Sequence, residues 1–294
     1  LSLLTYMPEI LLSTLNARYT HASLGLRYLF ANLGVLQVQS ELVEFTISMR
    51  PLDIVEQILA KKPKIVGFGV YIWNVTETTA VVSLLKMLQP QLIIIIGGPE
   101  VSYEAEGQTI SQQADYVVSG TAEQSLRELC IQLLTGQTPK EKFIQSPLLA
   151  LAQLNLPYEH YTDTDIKQRF VYVEASRGCP FKCEFCLSAL DKTAYPFELN
   201  KFLTEMEQLW QRGLRHFKFV DRTFNLKIAT TQLILEFFLE RLDADTFLHF
   251  ELVPDHLPDV LKECIQRFPA GSLQFEIGIQ TFNPEVQALI SRKQ

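Results

Sequence analysis

The run Leu92-Ile93-Ile94-Ile95-Ile96 leaves this chain little freedom of fold. A strand turns successive side chains to opposite faces, and here neither face receives a polar residue, so both must be buried. Such a strand belongs near the middle of a parallel sheet covered by helices on both sides. The surrounding sequence agrees. Apolar runs at Ile10 to Leu15, Glu41 to Ile47, Ile65 to Tyr71, Leu92 to Ile96 and Tyr116 to Ser119 alternate with helical patterns. The helices are expected near Leu24 to Leu33, Leu52 to Lys61, Thr76 to Leu88, Ser102 to Gln113 and Glu123 to Leu134. Residues 1–136 are therefore predicted to form an α/β domain with a five-stranded, doubly wound, Rossmann-like sheet.

A chain of 294 residues has room for a second domain of similar size. Residues 137–169 carry Pro139, Pro147 and Pro157 with weak periodicity and read as a linker with some short helix. Over 170–294 the alternation resumes. Strands at Phe170 to Glu174, Phe217 to Asp221, Thr246 to Val253 and Leu273 to Ile279 are followed by helices at Leu199 to Arg212, Ala229 to Leu242, Asp259 to Phe268 and from Pro284. Four consecutive βα units predict part of a (β/α) barrel. The chain starts at Leu1, and its last helical pattern has barely opened at Gln294, so it is expected to be an excerpt of a longer protein.

A net charge of -7 supplies no electrostatic footprint for a phosphate backbone, which argues against a nucleic-acid partner. No unbroken apolar run, Leu92 to Ile96 included, is long enough for a membrane span, and the N-terminus has no secretory pattern. A cytoplasmic location is expected by default. Five cysteines, three of them within eight residues, point to metal chemistry rather than a disulfide framework. Cys130 and Cys264 lie on apolar helical stripes and are expected to pack in the core.

The three clustered cysteines lie in Ser176-Arg177-Gly178-Cys179-Pro180-Phe181-Lys182-Cys183-Glu184-Phe185-Cys186, directly after the first strand of the second domain. Thiolates at C-x3-C-x2-C spacing can hold three corners of an iron-sulfur cubane and leave the fourth iron open to a ligand. Barrel folds place their chemistry at this end of the strands. The competing reading is structural zinc, which calls for four closed ligands; the sequence offers no second cysteine pair. Further candidates at strand ends are Asp221, Glu251, Glu276 and Gln280, the last two sharing one face of their strand. For the three acids the alternative is a solvated or already paired carboxylate.

In the first domain the informative residues follow the strands, because doubly wound sheets bind ligands at their carboxyl ends. Gly97 and Gly98 would let backbone approach a large flat ligand, Tyr71 and Trp73 could cover it, and Gly120 ends the fifth strand. The alternative is ordinary turn chemistry. Neither G-x-G-x-x-G nor G-x4-G-K-[ST] is present, which disfavours a dinucleotide or a nucleoside triphosphate.

The cysteine loop, with aromatic Phe185 before its last cysteine, resembles that of the radical S-adenosylmethionine superfamily. The resemblance implies that Cys179, Cys183 and Cys186 hold a 4Fe-4S cluster and that S-adenosylmethionine (SAM) chelates its open iron. One electron, from a reductant such as flavodoxin or ferredoxin, would then cleave SAM to a 5'-deoxyadenosyl radical. Asp221 falls where the family often has Gly-Gly-Glu, and becomes the substitute candidate for meeting SAM, with Glu251, Glu276 and Gln280 around it. The two-domain layout resembles the cobalamin-binding radical SAM proteins, which implies that Tyr71, Trp73, Gly97, Gly98 and Gly120 meet cobalamin. The D-x-H-x-x-G loop that ligates cobalt in some cobalamin domains is absent, so His21 is expected to cap or pack at a helix start. Implied activities are methylation of an unactivated carbon or rearrangement of a small organic substrate; no catalytic residue is assigned. Alternatives are a radical SAM enzyme whose first domain serves a substrate or partner without cobalamin, and a non-catalytic metal-stabilised scaffold.

Overall fold

The computed structural model describes residues 7–186 and 194–292, and Leu1 and Gln294 lie outside them. The chain divides into two compact units, the first ending at Tyr161 and the second beginning at Thr162. In the first, the strands are β1 (Ile10–Asn16), β2 (Ser40–Thr46), β3 (Ile65–Gly69), β4 (Ile93–Gly97), β5 (Tyr116–Ser119) and β6 (Phe143–Gln145). All are parallel, in the order β2-β1-β3-β4-β5-β6. The intervening helices are α1 (Leu24–Ala31), α2 (Pro51–Ala60), α3 (Val75–Leu88), α4 (Thr109–Gln113) and α5 (Ala122–Leu134).

The all-apolar fourth strand behaves as its sequence demands. Ile94 and Ile96 enter one core with Leu11, Leu15, Ile54, Val81 and Leu85, while Ile95 enters the other with Ile10, Leu12, Leu26 and Leu126. Each such side chain, removed from water, contributes about 1.5–3 kcal/mol. Cys130 is fully buried in the second core, and burial pushes its thiol up to about 12.

Three expectations for this unit change. The sheet has six strands, not five, because Phe143–Gln145 adds an edge strand beside β5. Three residues are too few to register as a period of two, so this stretch reads as linker in sequence. With it, residues up to Tyr161 join the first unit, where Tyr158 and Tyr161 are buried. The expected helix from Ser102 to Gln113 shrinks to α4 preceded by short 3-10 turns, since Glu104 (φ 49°) takes a left-handed backbone within the expected span.

The second unit opens with α6 (Asp163–Gln168), held by a capping box between Thr162 and Asp165. Its main sheet is β7 (Val171–Val173), β10 (His216–Phe219), β11 (Phe247–Leu252) and β12 (Leu273–Ile277), parallel and in chain order across the sheet. Between β7 and β10 lie an antiparallel pair, β8 (Ser176–Gly178) with β9 (Ala194–Pro196), and α7 (Leu199–Gln211). Helices α8 (Ile228–Leu239), α9 (Asp259–Gln266) and α10 (Pro284–Leu289) follow β10, β11 and β12.

Phe217, Phe219, Leu248, Phe250 and Leu252 turn one face of this sheet into core. Phe250 stacks on Phe224 at 4.2 Å and meets Phe219 at 4.5 Å between ring centroids. By the strand period, Lys218, His249 and Glu251 point the opposite way. Among the described residues no helix is long and apolar enough to cross a membrane.

Candidate functional site

In the second unit a cavity of about 310 Å³ opens at the carboxyl ends of β11 and β12. Cys179, Cys183 and Cys186 all line it, together with Glu251, Glu276 and Gln280, so six of the residues singled out in sequence share one space. Among the described residues no group of three or more His, Cys, Asp or Glu converges as ligands of one metal ion. The thiols line the cavity instead.

The cysteine loop is held at its base. Pairing of β8 with β9 brings Ser176 to Pro196, Arg177 to Tyr195 and Gly178 to Ala194 on either side of residues 179–193. Arg177 Nε donates to Glu174 Oε1 at 2.7 Å. Near the far end of the unit, Arg292 reaches back: Nη2 donates to Gly278 O at 2.7 Å and Nη1 to Cys183 Sγ at 3.7 Å. Burial pushes the Cys179 thiol up, and Cys183 and Cys186 push the same way, opposed by the Phe181 backbone N–H and the Arg292 charge.

Strand register explains the carboxylates. Glu251 lies directly opposite Glu276 across the β11–β12 pair, a like-charge placement that normally destabilises. Arg222 relieves Glu251 at 3.9 Å, and His249 Nε2 stands 3.4 Å from Glu276 Oε2. Burial raises Glu251 and lowers His249 from their ordinary values, with Lys218 holding Glu251 down and pushing His249 down further. Gln280 takes a left-handed backbone (φ 66°), which costs a non-glycine residue and folds its amide back over Gly278. A Cβ on Gly278 would stand 2.9 Å from Gln280 Nε2.

Asp221 is placed otherwise than its sequence position suggested. It is 1% exposed and is absent from the cavity lining; it bonds the backbone ahead of the cysteine loop. Thr223, two residues on, does line the cavity, and its buried Oγ1 has no hydrogen-bond partner among the described residues. Thr223 and Arg292 are the site residues that sequence reasoning missed. A hydroxyl carries no charge to mark it, and Arg292 follows the last helical pattern instead of ending a strand.

In the first unit, the crevice expected where the strand order reverses lies between β1 and β3. Asn74, wholly buried, spans it: Nδ2 donates to Leu15 O at 2.9 Å and to Thr14 Oγ1 and Gly69 O at 3.2 Å, and Oδ1 accepts from Tyr71 N at 2.8 Å. Asn74→Ala should cost about 2–4 kcal/mol, because buried backbone groups lose their partners, as read by urea unfolding. The Asn74 bonds set the turn that carries Tyr71 and Trp73. Their rings stack at 4.5 Å and 9°, leaving Trp73 49% exposed.

The glycines answer to the protein's own backbone. A Cβ on Gly98 would lie 2.5 Å from Val70 O, and one on Gly97 2.9 Å from Val118 O. Gly120 (φ 83°) turns the chain beside Gln145 and Ser146 of the sixth strand and its exit. His21 sits in the turn before α1, where its carbonyl accepts from Asn16 Nδ2 at 2.9 Å.

Comparison with known proteins agrees with this division. Residues 11–130 match the B12 binding domain family and residues 173–294 the radical SAM superfamily. An uncharacterized methyltransferase of Pyrococcus horikoshii is 27% identical over 199 residues, 59% of this chain and 43% of that protein. The cobalamin-dependent radical SAM methyltransferase TokK of Streptomyces tokunonensis is 22% identical over 56% of this chain and 28% of its own. The structure of the radical SAM methyltransferase TsrM from Kitasatospora setae, with cobalamin and a 4Fe-4S cluster bound, superposes with a TM-score of 0.71 at 16% identity. That match covers 96% of this chain and 60% of the other, and it is a likeness of fold. The chain thus spans less than half the length of these curated relatives.

Proposed function

Since the chain belongs to the radical SAM superfamily and carries a B12 binding domain ahead of it, we propose a cobalamin-dependent radical SAM enzyme that transfers a methyl group to a small organic substrate. The observation that carries this reading is the meeting of Cys179, Cys183 and Cys186 in one cavity with Thr223, Glu251 and Gln280. Three sulfurs placed around a space suit the corners of a cubane, whose donors stand farther apart than those of one tetrahedral ion. The donor chemistry fits as well. Burial and the neighbouring cysteines make the Cys179 thiolate costly until a cationic centre joins it.

When bound, the cluster supplies the electron that cleaves the SAM sulfonium, and cobalamin supplies a carrier for the methyl group. The protein's share is placement. Glu251 and the unpartnered Thr223 hydroxyl offer an acceptor pair for the amino group of SAM; the Gln280 amide and the Arg292 guanidinium offer donors for its carboxylate. Phe181 and Leu252 shield the cavity wall from water. In the first unit, the half-exposed Trp73 indole, braced on Tyr71, presents a flat apolar platform of the kind a corrin needs, with Gly97, Gly98 and Gly120 at neighbouring strand ends. A reductant protein such as a flavodoxin or ferredoxin would deliver the electron.

Hydroxocobalamin titrated into the anaerobic protein should bind saturably with a shifted visible spectrum. Trp73→Ala should weaken that binding about tenfold, through loss of stacking area. Absence of saturable binding would leave a radical SAM enzyme whose first domain serves another ligand. Failure of the reconstituted protein to cleave SAM under reductant would defeat the proposal as a whole.

A further inference from the structure

Asp221 is the buried acid of the second unit that the reading above leaves without a task. Its carboxylate accepts from the Ala175 backbone N–H at 2.9 and 3.2 Å and from Ser176 Oγ at 2.6 Å. Those two residues lead into β8, and Cys179 lies three positions beyond Ser176. On the other side, Phe197 N donates to Ala175 O at 2.9 Å, tying the exit of β9 to the same point. One carboxylate at the end of β10 thus fixes the base of the loop that carries all three thiols.

We propose that Asp221 is a positioning residue whose ionised carboxylate clamps the base of the cysteine loop, so that the grip on the cluster slackens when this acid takes up a proton. The proposal rests on the reading that the three thiols hold an iron-sulfur cluster. It assigns Asp221 no contact with SAM.

Among the described residues the charged groups around Asp221 are few. Glu174, at the end of β7, pushes its pKa up but is itself tied to Arg177 at 2.7 Å. Arg222, its chain neighbour, leans toward Glu251. Lys227, ahead of α8, lines with Asp221 a cavity of about 30 Å³, room for one water that could carry the proton. Burial is the dominant influence and raises Asp221 to about 7, against the hydrogen bonds from Ser176 and Ala175.

The sign follows. The folded protein holds this proton more tightly than the unfolded chain, whose aspartate titrates near pH 4. The cost of burying the charge is therefore absent below about pH 4, grows up to about 7 and is complete above it. Raising the pH through neutrality should lower global stability while tightening the loop. A side chain that served stability alone would move both the same way.

The test uses the full chain reconstituted anaerobically with iron and sulfide. The readout is the rate at which a ferrous chelator strips the iron, at pH values from about 6 to 8.5 spanning the titration. The unaltered protein should lose iron about tenfold faster at the acid end, the equivalent of about 1.4 kcal/mol in holding the loop. Asp221→Asn, lacking the charge at every pH, should lose iron fast throughout, and its melting temperature should no longer fall toward alkaline pH. Ser176→Ala keeps the acid but removes one bond to its charged form, so its midpoint should move up.

An Asp221→Asn protein with the unaltered pH profile, or a Ser176→Ala protein with an unmoved midpoint, would overturn the clamp. Should Asp221→Asn not fold, the Ser176→Ala midpoint decides alone. If the unaltered chain takes up no iron and sulfide, the reading of the thiols falls and the clamp with it. Iron that is held but released independently of pH defeats the clamp and leaves the thiols in place.

Discussion

Alanine in place of any one of Cys179, Cys183 or Cys186 is expected to take the reconstituted iron content from about four per chain to well under one, and SAM cleavage to background. A cubane held at three corners has no protein ligand to spare. The two remaining cysteines serve as controls. Cys130 and Cys264 are buried on helices α5 and α9, away from the cavity lining, so Cys130→Ala and Cys264→Ala should retain iron. Iron and sulfide analysis, with spin resonance of the reduced protein, reads the difference. A single cysteine variant of the loop that keeps its full iron would contradict the ligand set.

Glu44→Ala should be nearly as damaging to the first unit, with a loss of about 3–5 kcal/mol from stranding a buried charge. Arg27 Nη2 donates to Glu44 Oε2 at 3.1 Å, and the two side chains are only 2% and 6% exposed. Glu44 Oε1 also accepts from Asn16 Nδ2 at 3.0 Å and from the Ser23 backbone N–H at 2.5 Å. One carboxylate on β2 thus holds the end of β1, the N-cap of α1 and an internal guanidinium. Its removal takes a charged acceptor from three donors at once, the Asn16 amide, the Ser23 backbone N–H and the Arg27 guanidinium. Chemical denaturation of the whole chain measures the effect; a loss below about 1 kcal/mol, the range of exposed pairs, would show that water replaces the carboxylate.

The sheet frame was legible because its core strands are long enough to show their period. Leu92 to Ile96 announced a strand buried on both faces, and its isoleucines divide between two cores as a period of two requires. β6 was not legible, since three residues beside an edge carry no period and take their structure from β5. At the site, strand-end position led to Glu251, Glu276 and Gln280, which do share the cavity with the thiols. The same rule placed Asp221 wrongly. Position along a strand gives the face, but not whether a neighbouring backbone claims the side chain first, and Ala175 and Ser176 claim this one. Thr223 escaped notice because its interest lies in an unmet hydrogen bond, which exists only once the surroundings are packed.

The short antiparallel clip of β8 with β9 has a consequence for the entropy of the cysteine loop. Bringing the two ends of residues 179–193 together is an entropic expense, and backbone pairing in the clip offsets part of it. Part of the cost of closing this loop therefore falls on hydrogen bonds between its two arms, and less is left for the three thiols to meet.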